Sequence, residues 1–404
     1  MANDIHLKIA IISDLHCHLS SNNANSRNES YLIVGAKRSP KLRHPVQALI
    51  ELINQEQLEA DTLLCPGDLT DKSCQQGLSQ AITHLIEIRD KLKCKNLFCT
   101  LGNHDIDSRK LYSNNPFDIP KDIHPEYPFN NSEQLKQYWA DGFIIIKDIQ
   151  DIMYLIINTV AQHYDDVSAK RGIFSASQLE NLGKQLSSYN LENGDQIRIA
   201  LMHHHPILHS YLDYSPDDVL ANGDQLMELL SKHKFNLLIH GHRHQPRWQR
   251  HISNDNGMLV IASGSFSAML YDIASTTRNL FHIISLKVES SIFSGKIESW
   301  EYNHGFGWSK ASRKSARLPF ENRFRDIFTK VEPLKLKEFL ENNQTMKVDA
   351  NSIYTAFPDL QYYLPDEIDS ISKDLEENYE VGFTLDQYGQ IYEMGKIIKG
   401  KQNE

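Results

Sequence analysis

Five short polar blocks succeed one another along this chain: Asp14-Leu15-His16, Gly67-Asp68, Gly102-Asn103-His104-Asp105, His204-His205-Pro206 and Gly241-His242-Arg243-His244. Their carboxylates, amide and imidazoles are the oxygen and nitrogen donors that divalent transition metals take. Together they suffice for two adjacent ions. A metal pair suits one kind of reaction above others, because it activates water and clamps the attacking and leaving oxygens of an in-line displacement at phosphorus. Singly the blocks are weak, since Gly-Asp after a strand is ordinarily a turn. Gly-His-Arg-His says more, because alternate side chains of an extended segment share a face. The order of all five carries the reading.

Each block follows a short apolar run of strand character. Residues 7–12 precede Asp14, 62–65 precede Gly67, 97–101 precede Gly102, 197–202 precede the histidine run and 237–239 precede Gly241. Such runs predict buried strands, with the blocks at their carboxyl ends, where layered α/β proteins build sites. Val46, Leu49, Ile50 and Ile53 recur at helical spacing, as do Leu78, Ile82, Leu85 and Leu92. Ser177 and Glu180 predict a capping box opening a helix to Leu186, and Leu226, Leu229 and Leu230 mark another helix. Residues 142–149 and 153–159 read as paired strands, and 258–262 and 280–288 add two more.

In these blocks and their order the chain resembles the calcineurin-like metallophosphoesterase superfamily over roughly residues 5–300. The resemblance implies an α/β fold: a four-layer α/β/β/α sandwich of two mixed sheets with flanking helices. It implies two divalent ions, Mn, Fe or Zn, one held by Asp14, His16 and His244 and the other by Asn103, His204 and His242, with Asp68 bridging them. His104 matches the family's catalytic imidazole and Asp105 the carboxylate that orients it. The family's ligand stands two residues before the proline, which selects His204 from the triple histidine and leaves His203, His205 and His18 to outer positions or the reverse strand face. Purple acid phosphatases carry a tyrosine where this chain has Asp71, and protein Ser/Thr phosphatases carry Asp-Arg-Gly where it reads Asp71-Lys72-Ser73. The segment 171–179 looks like the bacterial class III cyclic-nucleotide phosphodiesterase branch. These resemblances imply a phosphodiesterase of small phosphoesters such as 3',5'-cyclic nucleotides. A nuclease or nucleotide phosphatase is the alternative, and a non-catalytic metal-bearing regulatory protein a third reading.

The 404 residues are 40% hydrophobic and 23% charged, an ordinary globular composition. No apolar run approaches the roughly 20 residues needed to span a bilayer, and the first residues lack the basic and apolar regions of a signal peptide. Five cysteines, an odd number, suit free thiols in a reducing compartment. A cytoplasmic protein without membrane contact is therefore expected. The net charge of −10 argues against a broad nucleic-acid surface, whereas a small anionic substrate needs only local positive charge, which bound ions supply.

The insertions 20–45 and 108–137 leave the catalytic edge and are longer than the usual connection of about 2–6 residues, so both are candidates to close over substrate. The first carries Arg27, Lys37, Arg38, Lys41 and Arg43. The motifs place a catalytic domain at 1–309 and a C-terminal extension at 310–404. In the extension, Phe320, Phe324, Ile327, Phe328 and Val331 predict an amphipathic helix, and 382–394 a hairpin. Residues 310–347 hold ten Lys/Arg against five Asp/Glu, and 349–393 hold eleven Asp/Glu against one Lys. Opposite charge of this kind reads first as a solvated helix face beside an acidic surface; the sharper reading is docking on the core or a homo-oligomer contact.

Overall fold

A computed structural model describes residues 5–20, 30–38, 44–129, 131–147, 152–189, 197–208, 219–253, 256–269, 277–290, 292–326 and 328–397. Two mixed sheets face one another. The first runs β12(Gly307–Lys310)–β11(Ile292–Asn303)–β10(Asn279–Glu289)–β1(Ile5–Ile11)–β2(Thr62–Cys65)–β3(Asn96–Cys99), with β13(Glu321–Arg325) also paired to β11. The second runs β4(Phe143–Lys147)–β5(Met153–Ile157)–β6(Arg198–Leu201)–β7(Leu237–His240)–β9(Asn256–Ala262)–β8(Arg247–Ser253). β1, β2 and β3 are parallel, as are β5, β6, β7 and β9, while the β10–β11–β12 side of the first sheet and both edge strands of the second, β4 and β8, pair antiparallel. All the parallel carboxyl ends therefore carry loops that can meet.

The two-residue period of the strands divides the core. In the second sheet Tyr154, Ile156, Ile199, Leu201, Leu237, Ile239, Leu259 and Ile261 join the first sheet's side chains between the layers. Their neighbours Met153, Leu155, Ile157, Ala200, Leu238, Met258 and Val260 join the opposite face. There they pack under α5(Ala176–Ser187) and α6(Gly223–Lys232) through Leu182, Leu186, Leu226 and Leu230. α1(Pro45–Glu56) and α2(Gln75–Lys91) bury Leu49, Ile53, Leu78 and Leu85 with the first sheet. The strands are buried on both faces, which explains why their sequences read as continuous apolar runs. No helix among the described residues is long and apolar enough to cross a membrane, and all five cysteines are free and buried.

Several local expectations change. The capping box of α5 is formed by Ser175 and Gln178, two residues earlier than Ser177 and Glu180. The 108–137 insertion is packed structure: α3(Asp118–Asp122) and α4(Ser132–Asp141) fold within or against it, Phe117, Ile119, Ile123, Tyr127 and Phe129 enter the core, and Tyr127 Oη donates to Thr100 O at 2.6 Å. Of the first insertion, Arg38 is spent on Glu87 and His84, while Arg27, Lys41 and Arg43 lie outside the described residues.

The first sheet continues beyond residue 309. Glu321–Arg325 is strand β13, not part of a helix, because Asn322 and Phe324 face inward at alternate positions; Ile327 lies outside the described residues. After the short α7(Arg313–Ala316), the remainder forms α8(Pro333–Asn342), β14(Lys347–Asp349), α9(Ala350–Ala356), α10(Pro365–Tyr379), β15(Val381–Leu385) and β16(Ile391–Lys396), with its own apolar cluster around Leu336, Leu340, Ile353, Leu375 and Met394. β15 and β16 make the expected hairpin. This unit docks on the core by charge: Arg247 to Asp366 at 2.6 Å, Arg250 to Glu367 at 3.1 Å and Arg313 to Asp369 at 2.5 Å.

Candidate metal centre

Asp14 and His16 follow β1, Asp68 follows β2, Asn103 and His104 follow β3, His203 follows β6, and His242 and His244 follow β7. The backbone there is unusual. Asp14, His16, Asp68, His242 and His244 have φ of 51°, 48°, 52°, 84° and 55°, a left-handed region that L-residues enter only when their surroundings hold them. Cross-loop bonds do so: Asp14 N to Gly67 O at 3.1 Å, His16 N to Asp68 O at 3.0 Å and His242 N to Asp14 Oδ1 at 3.1 Å. Two glycines are required by close approach. A Cβ on Gly102 would stand 2.1 Å from Asp68 Oδ1, and one on Gly241 would stand 2.4 Å from Asp14 Oδ2.

The first donor group comprises Asp14, His16, Asp68 and His244, whose ligand atoms all lie within 4.8 Å of one another. His16 Nε2 is 2.9 Å from His244 Nε2 and 3.6 Å from Asp68 Oδ2, and His244 Nε2 is 3.3 Å from Asp14 Oδ1. The second group gathers on Asn103 Oδ1, with His203 Nε2 at 3.1 Å and His242 Nδ1 at 3.0 Å. His203 Nε2 also lies 3.3 Å from Asp68 Oδ2. The same oxygen of Asp68 thus faces both groups.

His203, and not the expected His204, is the imidazole brought to Asn103 and Asp68. Its Nδ1–H donates to Pro66 O at 2.8 Å, which aims Nε2 inward. His204 instead shares a 2.8 Å hydrogen bond between its Nδ1 and Thr159 Oγ1, with its ring 4.4 Å from that of His242. Counting back from the proline misleads here because the third histidine lengthens the turn after β6; counting forward from the apolar run selects His203. His18 turns away, bonding Leu19 O through Nδ1 at 2.7 Å.

Asp105 also departs from expectation. Its carboxylate accepts the N–H groups of Leu69, Thr70 and Gly102 at 2.8, 3.0 and 2.9 Å, so it ties the Asp68 loop to the Asn103 loop. The partner of His104 is Asp71, whose Oδ1 lies 2.9 Å from Nδ1. A carboxylate only accepts, so His104 donates through Nδ1. Asp71 also lies 3.8 Å from His16 Nδ1. In sequence the signal was the position three residues after Asp68. Ser265 and Ser267 brace the first block by donating to Asp14 O and Leu15 O at 2.7 and 2.6 Å; they too follow an apolar strand, β9.

The electrostatics call for cations. Burial opposes the charge on Asp68, yet His203, His104 and His16 hold its carboxyl well below the usual range. Burial disfavours protonated His203, but the Asp68 and Asp14 carboxylates raise it to about 9. His204 and His242 are held well below the ordinary imidazole value, by burial first and then by neighbouring imidazoles. Buried carboxylates amid converging imidazole nitrogens fit a pair of divalent ions.

The sequence profile of the calcineurin-like phosphoesterases matches residues 7–246. The chain belongs to the calcineurin-like phosphoesterase family, generally metal-dependent phosphoester hydrolases that typically hold a dinuclear centre. Similar solved structures include a purple acid phosphatase from yellow lupin seeds (16% identity, 76% of this chain and 53% of that one, TM-score 0.42). This chain thus spans about half the length of the lupin enzyme. Others are a Vps29 mutant from Entamoeba histolytica (12% identity, 80% of this chain, 100% of that one, TM-score 0.32) and a predicted phosphoesterase from Streptococcus pneumoniae (10%, 80%, 98%, TM-score 0.30). No curated protein matches the chain in sequence.

Proposed function

We propose that this protein is a two-metal phosphodiesterase of small phosphoesters, 3',5'-cyclic nucleotides among them. The observation that carries the reading is Asp68 Oδ2, which stands 3.6 Å from His16 Nε2 and 3.3 Å from His203 Nε2, one oxygen between two donor groups. Asp14, His16 and His244 would hold one ion, and Asn103, His203 and His242 the other. Divalent ions in such a pair supply Lewis acidity to water and to phosphoryl oxygens. The chain's own part in the chemistry falls to His104. Burial lowers its proton affinity, but the Asp68 and Asp71 carboxylates outweigh burial and raise it. With Nδ1 committed to Asp71, the other ring nitrogen is the one left to protonate the leaving oxygen. Its side chain is 24% exposed, so a substrate can reach it. The absence of a tyrosine at 71 removes a phenolate ligand for ferric iron and favours Mn, Fe(II) or Zn.

The test is metal-reconstituted enzyme assayed in parallel on bis-p-nitrophenyl phosphate, p-nitrophenyl phosphate, cyclic nucleotides and single-stranded DNA. Diesters should turn over at least about tenfold faster than the monoester. No turnover with two ions bound per chain, or a monoester preference, would overturn the proposal.

A further inference from the structure

The His16 ring has two working ends. Nε2 faces the first donor group, and Nδ1 lies 3.8 Å from Asp71 Oδ1. The same carboxylate oxygen is 2.9 Å from His104 Nδ1, and the His16 and His104 rings stand edge to face with 4.7 Å between centroids. One oxygen and two imidazole nitrogens thus converge, all within 4.8 Å of one another. In a tetrahedral zinc site with bonds of about 2.0–2.2 Å, neighbouring ligand atoms stand roughly 3.3 Å apart. The two contacts of Asp71 bracket that spacing. Backbone bonds hold the three loops in place: Asp71 N donates to Cys17 O at 3.2 Å, and Ser73 N to His104 O at 2.8 Å. The His16 and Asp71 side chains are 5% and 9% exposed and that of His104 is 24% exposed, so two donors are buried and the third is open to solvent.

We infer that Asp71, His104 and His16 form a third, inhibitory ion site, which takes zinc present in excess over the metal pair. Two imidazole nitrogens, a carboxylate oxygen and an open position are a donor set that zinc takes readily. Affinity for such donors rises from Mn through Fe(II) to Zn. As the ion enters, the Nδ1 protons of both imidazoles leave to solvent, and His16 bridges two ions through its two nitrogens. Repulsion from the pair, and from the Lys72 ammonium 3.4 Å from Asp71 Oδ2, makes this site weaker than the pair. Inhibition follows from the ion's seat on His104 Nδ1, because the ring then loses its cationic form, the one that gives a proton to the leaving oxygen. That consequence rests on the phosphodiesterase reading, whereas the ion site stands on the donor geometry alone.

The test adds zinc to enzyme already loaded with two zinc ions, and follows bound metal by native mass spectrometry and turnover of bis-p-nitrophenyl phosphate. A third equivalent should bind, and turnover should fall with it by at least about tenfold, the low end for a proton donor acting on a good leaving group. Excess manganese should do neither. Asp71→Asn should keep two ions and weaken the third by more than about 100-fold, beyond what losing an outer partner costs. Lys72→Gln should tighten it by up to about fivefold, the reach of one exposed charge, a gain that a misfolded variant does not produce. No third equivalent in wild type, or a third equivalent held unchanged by Asp71→Asn, overturns the site; a third ion that leaves turnover unaltered overturns its inhibitory role. In each case the turnover of the two-zinc form still upholds the phosphodiesterase reading. Absence of diester turnover in that form overturns the phosphodiesterase reading, and the ion count then decides the site by itself.

Discussion

At the edge that carries the candidate metal centre and in the C-terminal unit alike, strands end in polar loops, but the two regions use left-handed backbone differently. At the edge five donor residues, Asp14, His16, Asp68, His242 and His244, are themselves held at positive φ. In residues 333–397 such positions fall on Gln344, Glu380 and Gly389, beyond the ends of α8 and α10 and in the β15–β16 turn. There the conformation closes helices and a hairpin, its usual service. At the edge each costs on the order of 1–3 kcal/mol and serves only to aim a donor inward. The difference teaches where the packed core spends its surplus stability: on five misaligned peptide units that no local propensity would choose. Substitutions at the edge should therefore strike metal content and turnover, and substitutions in the C-terminal unit should strike stability alone.

The largest effect is expected at Asp68. Asp68→Asn replaces the shared carboxylate by a neutral amide and should lose both ions, with activity falling by more than the about 100-fold typical of losing an outer partner. Metal analysis and bis-p-nitrophenyl phosphate turnover measured on one sample check it. Two equivalents of metal retained by Asp68→Asn would break the shared-ligand assignment.

Next comes His104. His104→Ala should keep both ions and lose about 10²–10⁴-fold in kcat, less for esters with good leaving groups. The acid form of a group with raised affinity for protons persists to higher pH, so activity should be present below that pKa and lost as pH rises through it. Asp71→Asn removes one of the carboxylates that raise it and should move the alkaline limb to lower pH. Asp105→Asn should leave the limb in place, because Asp105 bonds backbone N–H groups and not the imidazole.

The histidine run separates two geometries. His203→Ala should bind one ion fewer, whereas His204→Ala, which breaks a bond to Thr159, should keep both and lose about 10–100-fold at most. Metal stoichiometry by mass spectrometry distinguishes them, and the reverse pattern would restore the proline-based reading.

Much of this was legible in the sequence, and the exceptions share a cause. The strands carrying the blocks were visible because they are apolar on both faces, and α1, α2 and α6 because their buried sides repeat at helical spacing. Asp14, His16, Asp68, Asn103, His242 and His244 were legible as candidates because their donor types recur in order after apolar strands, and the structure brings their ligand atoms together. His203 was missed because three identical residues leave the choice to how the turn after β6 is wound, a matter of the Pro66 carbonyl from another loop. Asp71 was missed for a related reason: its contact with His104 joins residues 33 positions apart, and sequence adjacency made Asp105 the nearer choice. β13 read as a helix because Phe320 before it and Phe324 within it, taken with Phe328 and Val331 beyond it, mimic helical spacing.

The smallest effect is expected where the C-terminal unit meets the core. Arg250, its side chain 5% exposed, donates to Glu367 Oε1 at 3.1 Å and to the carbonyls of Arg325 and Tyr362 at 2.5 and 3.2 Å. Breaking a buried ion pair can cost about 3–5 kcal/mol when the survivor has no other partner. Here two carbonyls remain, and Glu367 is 26% exposed, so the loss should be smaller. Glu367 also closes the first turn of α10, accepting from Leu364 N at 2.8 Å, a contact worth about 1 kcal/mol. Glu367→Ala removes both contacts and should lower Tm by a few degrees. Glu367→Gln keeps an acceptor for the Leu364 N–H and should lower it less. In both variants metal content and turnover should equal wild type, because no donor of the metal centre lies in this unit. Should Glu367→Ala release an ion, the docking contact would be part of what holds the strained edge in place, and the division between the two regions would fail.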